Sequence, residues 1–191
     1  MSKSWSKYYD STKALEPSRF LIEAISNYNL KPGKALDLGC GAGRDTKHLL
    51  KKGFEVTAID GDSAAEKYIR QLPHQDKLAF ICSGFNDFEF GSYDLVNAHY
   101  ALPFSGKDDF DSVMEKVINS INAGGVFVGQ LFGVDDEWNT PESQLIFHER
   151  SDVSKLFEGF QALEIKEVNE QRGVVGGDQK HWHVFNITAQ K

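Results

Sequence analysis

One stretch narrows what this chain can fold into: Ala35-Leu36-Asp37-Leu38-Gly39-Cys40-Gly41-Ala42-Gly43-Arg44-Asp45. It opens as a short apolar strand and breaks into glycines at alternate positions. It then runs into residues 46–52, a mixed polar and apolar segment that reads as a helix. Strand, glycine turn and helix, in that order, build a ligand site at the carboxyl end of the first strand of an α/β sheet. Glycine is required where the backbone takes positive φ or passes so close to a ligand that a Cβ would collide.

The glycine spacing separates two kinds of ligand. A dinucleotide fingerprint runs G-x-G-x-x-G. Here the pattern is G-x-G-x-G, with Asp37 two residues ahead of the first glycine. Asp-Leu-Gly-Cys-Gly-Ala-Gly resembles the first motif of the class I S-adenosylmethionine-dependent methyltransferases. The resemblance implies that Asp37 receives the cofactor's ammonium, directly or through water. It also implies that Gly39, Cys40, Gly41 and Gly43 let the amino acid end of the cofactor lie on the backbone. A structural tight turn has the same composition, and only the flanking strand and helix argue for a ligand.

With 191 residues and 40% apolar content, the chain is long enough for one domain with a sizeable core. The expectation is a single domain over residues 1–191, with residues 1–16 as an aromatic arm. A net charge of −7 argues against a broad phosphate-tracking surface, so nucleic acid is not the expected partner. No apolar run reaches the roughly 20 residues of a membrane span, and the first residues lack a signal-peptide core. Two cysteines, Cys40 and Cys82, give no disulfide framework, so a reduced, cytoplasmic setting is expected.

In chain order, Trp5, Tyr8 and Tyr9 make the arm aromatic. They either pack on the core or form a lid over the ligand pocket. Pro17 opens a helix that ends at Lys31-Pro32-Gly33. Residues 54–59 form a second strand ending in Asp60, roughly 20 residues past the glycine turn, where such folds set a carboxylate against ribose hydroxyls. Asp62 or Ser63 is then free to cap a helix running to Arg70. Where the resembled family often places an apolar residue against adenine, this chain has Gly61. A third strand, residues 77–82, leads to a loop in which Phe85 could stack on adenine and Asn86 or Asp87 supply a polar contact. The alternative is a solvated turn with Phe85 buried. The fourth strand, residues 92–100, carries Asn97, His99 and Tyr100 at its carboxyl end, where methyl donor and acceptor would meet. His99 is either a general base or a histidine satisfied at the edge of the core.

Residues 108–122 have the spacing of an amphipathic helix stopped by Ala123-Gly124-Gly125, and residues 126–132 form a continuous apolar strand. Residues 133–150 read as a long irregular loop containing Trp138, placed to cover the site. Ser151-Asp152 should cap a short helix. Two final strands, 160–170 and 180–189, form a hairpin around Gly173–Asp178. His181 and His183 share one strand face and could be two ligands of a zinc site, but no third ligand is evident, so no metal is expected.

The resemblance covers nearly the whole chain and looks closest to the small bacterial tellurite-resistance-like group. It implies a Rossmann-like, seven-stranded, mostly parallel sheet ordered 3-2-1-4-5-7-6 with a C-terminal antiparallel hairpin. It implies methyl transfer from S-adenosyl-L-methionine to a small-molecule acceptor, releasing S-adenosyl-L-homocysteine. Asp37, Gly39, Cys40, Gly41, Gly43, Asp60, Gly61, Phe85, Asn86 and Asn97 are the candidates for the cofactor. Tyr8, Tyr9 and Trp138 are those for the acceptor, and His99 and Tyr100 those for catalysis. The aromatic residues suit a cationic or amine acceptor. The rivals are a non-catalytic cofactor-binding module and a nicotinamide-dependent oxidoreductase. Monomer and homodimer both remain open.

Overall fold

The computed structural model describes residues 5–174 and 177–191. Residues 1–4 of the expected arm, and Val175 and Gly176 of the expected hairpin turn, lie outside the described residues.

Strand β1 (Lys34–Leu38) pairs in parallel with β2 (Glu55–Asp60) on one side and β4 (Tyr93–Ala98) on the other. Beyond β2 lies β3 (Leu78–Cys82), and beyond β4 lies β5 (Ile121–Gly133). The terminal hairpin, β7 (Ala162–Gly173) and β8 (Gln179–Gln190), adds through β8, which runs antiparallel to β5. The path is β3-β2-β1-β4-β5-β8-β7, the one expected from the sequence. The difference is an extra two-residue strand, β6 (Phe147–His148), which pairs with β5 off that path and raises the hairpin's numbers by one. It forms inside the stretch read as irregular because Phe147 stacks on Phe132 at 6.1 Å and 25°.

Period-two geometry divides the apolar side chains of the central strands between two cores. Leu36, Leu38, Val96 and Phe127 join the first, with residues of α5 (Phe110–Ser120). Ala35, Leu95, Val126 and Val128 join the second, with residues of α2 (Arg19–Asn27) and α3 (Arg44–Lys51). Burial on both faces explains why these strands read as apolar runs rather than alternating ones.

Local departures from the expected boundaries have local causes. The arm is not frayed: residues Ser6–Thr12 form helix α1. The helix expected from Asp62 to Arg70 is a 3-10 turn, Ser63–Ala65, followed by the short α4 (Glu66–Ile69), with the Asp62 side chain accepting from the Ala64 N–H at 2.9 Å. Gly124 and Gly125 do not end α5. They lie within β5, where its pairing with β4 shifts register between Tyr93 and Leu95. Helix α6 (Arg150–Leu156) starts at Arg150, so Ser151 and Asp152 sit inside its first turn and Glu149 takes the cap position. β4 ends at Ala98, and Tyr100 adopts φ 52°, a left-handed value uncommon for a non-glycine residue. Its N–H donates to Gln130 Oε1 at 3.0 Å, which holds that turn. Among the described residues, no helix is long and apolar enough to cross a membrane.

Strand order reverses between β1 and β4, so the loops after β1, β2, β3, β4 and β5 gather along the carboxyl edge of the sheet. The first of these is tightest at Gly39, with φ 67° and a hypothetical Cβ only 2.6 Å from the Ala101 Cβ. Gly39→Ala is therefore expected to lower unfolding stability by more than about 1 kcal/mol, read from the urea midpoint. An unchanged midpoint would mean that the turn relaxes freely.

Candidate functional site

The carboxyl edge opens into a cavity of about 1630 Å³. Single-ligand pockets run to about 1,000 Å³, so this one has room for a cofactor and an acceptor together. Its floor is the glycine turn, one end is set by Asp37 and Asp60, and the other by Tyr100, Trp138 and Trp182.

Asp37, next to last in β1, is almost fully buried, at 2% exposure. Its Oδ2 accepts from Thr46 Oγ1 at 2.5 Å, and its Oδ1 accepts from Asn97 Nδ2 at 2.8 Å. The same Asn97 nitrogen reaches Asp45 Oδ2 at 3.3 Å. Asp45 also accepts from Arg44 Nε at 3.0 Å, Arg44 Nη2 at 3.2 Å and the Ser18 N–H at 2.8 Å. Burial, reinforced by the charge of Asp45, pushes the Asp37 carboxyl up to about 7 against the lowering pull of its two donors. Burial raises Asp45 too, but the charge and hydrogen bonds of Arg44 outweigh it and leave Asp45 below the usual carboxylate range. Asp37 is thus the carboxylate that gains most from an added cation. Asn97 does not line the cavity; it positions Asp37 from behind. Gly43 does not line it either: it begins α3 at φ 77°, where a Cβ would strike Ile69 and Leu72.

Asp60 ends β2. Its Oδ2 accepts from the Gly41 N–H at 2.8 Å, and its Oδ1 accepts from the Asp62 N–H and the Tyr9 hydroxyl, each at 2.9 Å. A carboxylate has about four acceptor positions, so one remains. Tyr9, read from the sequence as an acceptor residue, therefore lines the cavity while bonded to Asp60, the carboxylate read from the sequence as the ribose anchor. Burial and the Asp60 charge push its phenol well above the usual value, so it stays a donor. The rest of the arm spans the cavity mouth. The Trp5 N–H donates to Asp62 Oδ2 at 3.0 Å, the Tyr68 hydroxyl to Asp10 at 3.0 Å, and the Trp5 ring meets Phe104 edge-on at 5.4 Å. Trp5, Tyr8 and Tyr9 both pack against neighbouring rings and line the cavity.

The stretch that the sequence reading set against adenine is less complete. At Gly61 a Cβ would meet nothing nearer than the Ser83 carbonyl at 4.0 Å, so no wall stands there. Phe85 lines the cavity while packing on the first core. Asn86 reaches the rim, but its amide is engaged by Asp109 at 3.0 Å and Ser112 at 3.2 Å. Cys40 lines the floor, and burial pushes its thiol up, so it stays neutral.

At the far end, His99 is an uncharged imidazole. Burial pushes it down to about 4, against the opposing charge of Asp45 and a hydrogen bond to Gln130. Its Nδ1 is buried with no partner among the described residues. Tyr100 packs against His99 at 4.8 Å, Trp182 at 5.8 Å and Phe132 at 6.1 Å. Trp138, on the long loop after β5, meets Trp182 at 5.3 Å. Behind these rings lies Lys180, ion-paired with Asp136, its Nζ 4.0 Å from the centroids of both Trp138 and Trp182. His181 and His183 are held on the hairpin: His181 Nε2 meets Asn169 Oδ1 at 2.5 Å, and His183 bonds Glu167 at 3.0 Å and the Asp135 N–H at 3.0 Å.

Sequence reasoning missed Asp45, Gln130 and Lys180. Lys180 was within reach: residues i and i+2 of a strand share a face, so Lys180 lies beside Trp182. Gln130 could have been noticed as the one polar residue in an apolar strand.

Comparison with known proteins agrees with this geometry. A sequence profile for tellurite resistance protein TehB matches residues 3–176. The probable S-adenosyl-L-methionine-dependent methyltransferase TehB of Haemophilus influenzae is 25% identical over 100 residues, covering 50% of this chain and 35% of that protein. The chain thus spans about a third of the length of that curated relative. The crystal structure of Haemophilus influenzae TehB superposes with a TM-score of 0.76 at 18% identity, covering 98% of this chain and 65% of that one. A Burkholderia thailandensis 1,6-didemethyltoxoflavin N1-methyltransferase, solved with S-adenosylhomocysteine, superposes with a TM-score of 0.67 at 16% identity, covering 97% and 80%. The structural likenesses carry the fold, and the profile match carries the kinship: this chain belongs to the TehB family of class I S-adenosylmethionine-dependent methyltransferases.

Proposed function

We propose that the chain binds S-adenosylmethionine along the glycine turn and transfers its methyl group to a small-molecule acceptor held beside His99 and Tyr100. The carrying observation is the pair of buried carboxylates, Asp37 and Asp60, near the carboxyl ends of adjacent parallel strands on either side of a turn with no Cβ at Gly39 and Gly41. A cofactor with a cationic amino acid end and a vicinal diol matches that pair, and no phosphate cradle is needed.

The bound sulfonium supplies an already activated methyl group, so the protein's task is to bind, orient and exclude water. In this reading Asp37 takes the ammonium, held in place by Thr46 and Asn97. Asp60 takes a ribose hydroxyl on its remaining acceptor position, and Phe85 flanks the base. The arm closes the mouth, so arm and sheet act as one domain. His99, with its free Nδ1, receives a hydrogen bond or a proton from an acceptor N–H or O–H. The family name points to tellurite, and amines remain the chemical alternative, so both belong in a first panel.

S-adenosylhomocysteine titrated calorimetrically is expected to bind the wild type and to bind Asp60→Ala and Asp60→Asn roughly 10- to 100-fold more weakly. NAD bound in its place would instead favour the oxidoreductase. Tight binding with no turnover on the acceptor panel would favour the non-catalytic module.

The raised Asp37 carboxyl sets a pH dependence. Below about 7 it carries a proton that an incoming ammonium must displace. Affinity is expected to rise about tenfold from pH 6 to a plateau near pH 8. Asp37→Asn should bind weakly with no slope in that window. A slope retained in the variant would place the ammonium elsewhere.

His99→Asn is expected to lower turnover about 100-fold while leaving S-adenosylhomocysteine affinity unchanged. Because His99 titrates near 4, its ionisation should leave no break in the wild-type rate between pH 6 and 8. Full activity in the variant would remove the role.

A further inference from the structure

We infer that Lys180 is a specificity-determining residue that keeps cationic acceptors off the aromatic wall of the cavity, so that the acceptor is neutral or anionic. The inference rests on the methyltransferase reading above and deepens it. It also replaces the expectation, drawn from the aromatic content alone, of a cationic acceptor.

Phe132, Trp138 and Trp182 line the cavity, and Tyr100 packs against Phe132 and Trp182. Such a cluster is the usual receptor for an ammonium group, because ring faces carry negative charge density. Here the chain fills the cluster with its own ammonium. Lys180 is only 3% exposed, with its Nζ 4.0 Å from the Trp138 and Trp182 centroids and 5.9 Å from that of Phe132. Asp136, its ion-pair partner, has a fully buried side chain. It also accepts from the Trp138 N–H at 3.0 Å and the His183 N–H at 3.1 Å. The carboxylate ties the long loop to β8 and pins the ammonium behind the rings. Lys180 does not line the cavity, whereas Trp138 and Trp182 do.

A cation entering the cavity therefore meets rings whose negative charge density already serves Lys180, and gains little attraction for the hydration it gives up. A neutral group of the same shape keeps its apolar contact with the rings and gives up no ion hydration. Lys180 acts through Trp138 and Trp182, so the consequence is selectivity between charges rather than general loss of binding.

Choline and 3,3-dimethylbutan-1-ol have the same shape and differ in charge, and serve as probes of the S-adenosylhomocysteine-loaded protein. Binding is read from tryptophan emission and by saturation-transfer NMR. In the wild type the neutral alcohol is expected to bind at least roughly tenfold more tightly than choline. K180M should erase or invert that ratio, and K180R should restore it. Removing Lys180 alone strands a buried carboxylate, so K180M/D136N is made alongside and its fold checked by S-adenosylhomocysteine titration. A purely structural role would weaken both probes equally and leave the ratio unchanged. An unchanged ratio in a K180M/D136N protein that still binds S-adenosylhomocysteine overturns the inference. So does choline binding the wild type as tightly as the alcohol, or neither probe binding. If the wild type does not bind S-adenosylhomocysteine, the function reading fails first and this inference falls with it.

Discussion

A single side-chain amide sits at the pivot of this structure. Asn97, next to last in β4, pairs with Asp37 of β1, where the strand order reverses, and its nitrogen bridges Asp37 and Asp45. Two buried carboxylates so close would repel each other without compensation. Arg44 neutralises Asp45, the Ser18 N–H ties it to the segment before α2, and Asp37 is left as the raised, cation-seeking member. The chain thus keeps an imperfectly satisfied charge at its ligand edge, which a ligand ammonium would complete.

The second carboxylate is arranged differently. Asp60 is served by two backbone N–H groups and by Tyr9, so the arm leans on it. In the proposed function the contact would link cofactor recognition to the arm, since Tyr9 and a ribose hydroxyl would address the same carboxylate. Trp5, reaching Asp62 on one side and Phe104 on the other, extends that link towards the acceptor end.

At the acceptor end, apolar surface and charge are combined by burial. Lys180 and Asp136 would be costly to bury apart, and together they hold a long loop against the hairpin. The neutral imidazole of His99, whose Nδ1 has no partner among the described residues, stands beside the aromatic rings of that wall.

Much of this was legible in the residues themselves. Glycine spacing, apolar strand runs and an acid at the end of β2 are local signals, each with a local physical cause. Together they determined the fold class, the strand path, the position of the ligand edge and the candidate anchors Asp37 and Asp60. What the sequence could not determine is which side chains meet across long separations. Tyr9 reaching Asp60, Asn97 bridging Asp37 and Asp45, and Lys180 filling the space between Trp138 and Trp182 each join residues far apart in the chain. Those contacts exist only once the parallel strands bring their carboxyl ends to one edge and the hairpin folds back beside β5. Tertiary structure therefore decided that Tyr9 bonds Asp60, that Asn97 and Gly43 stay off the cavity wall, and that the aromatic cluster already holds a cation of the chain's own.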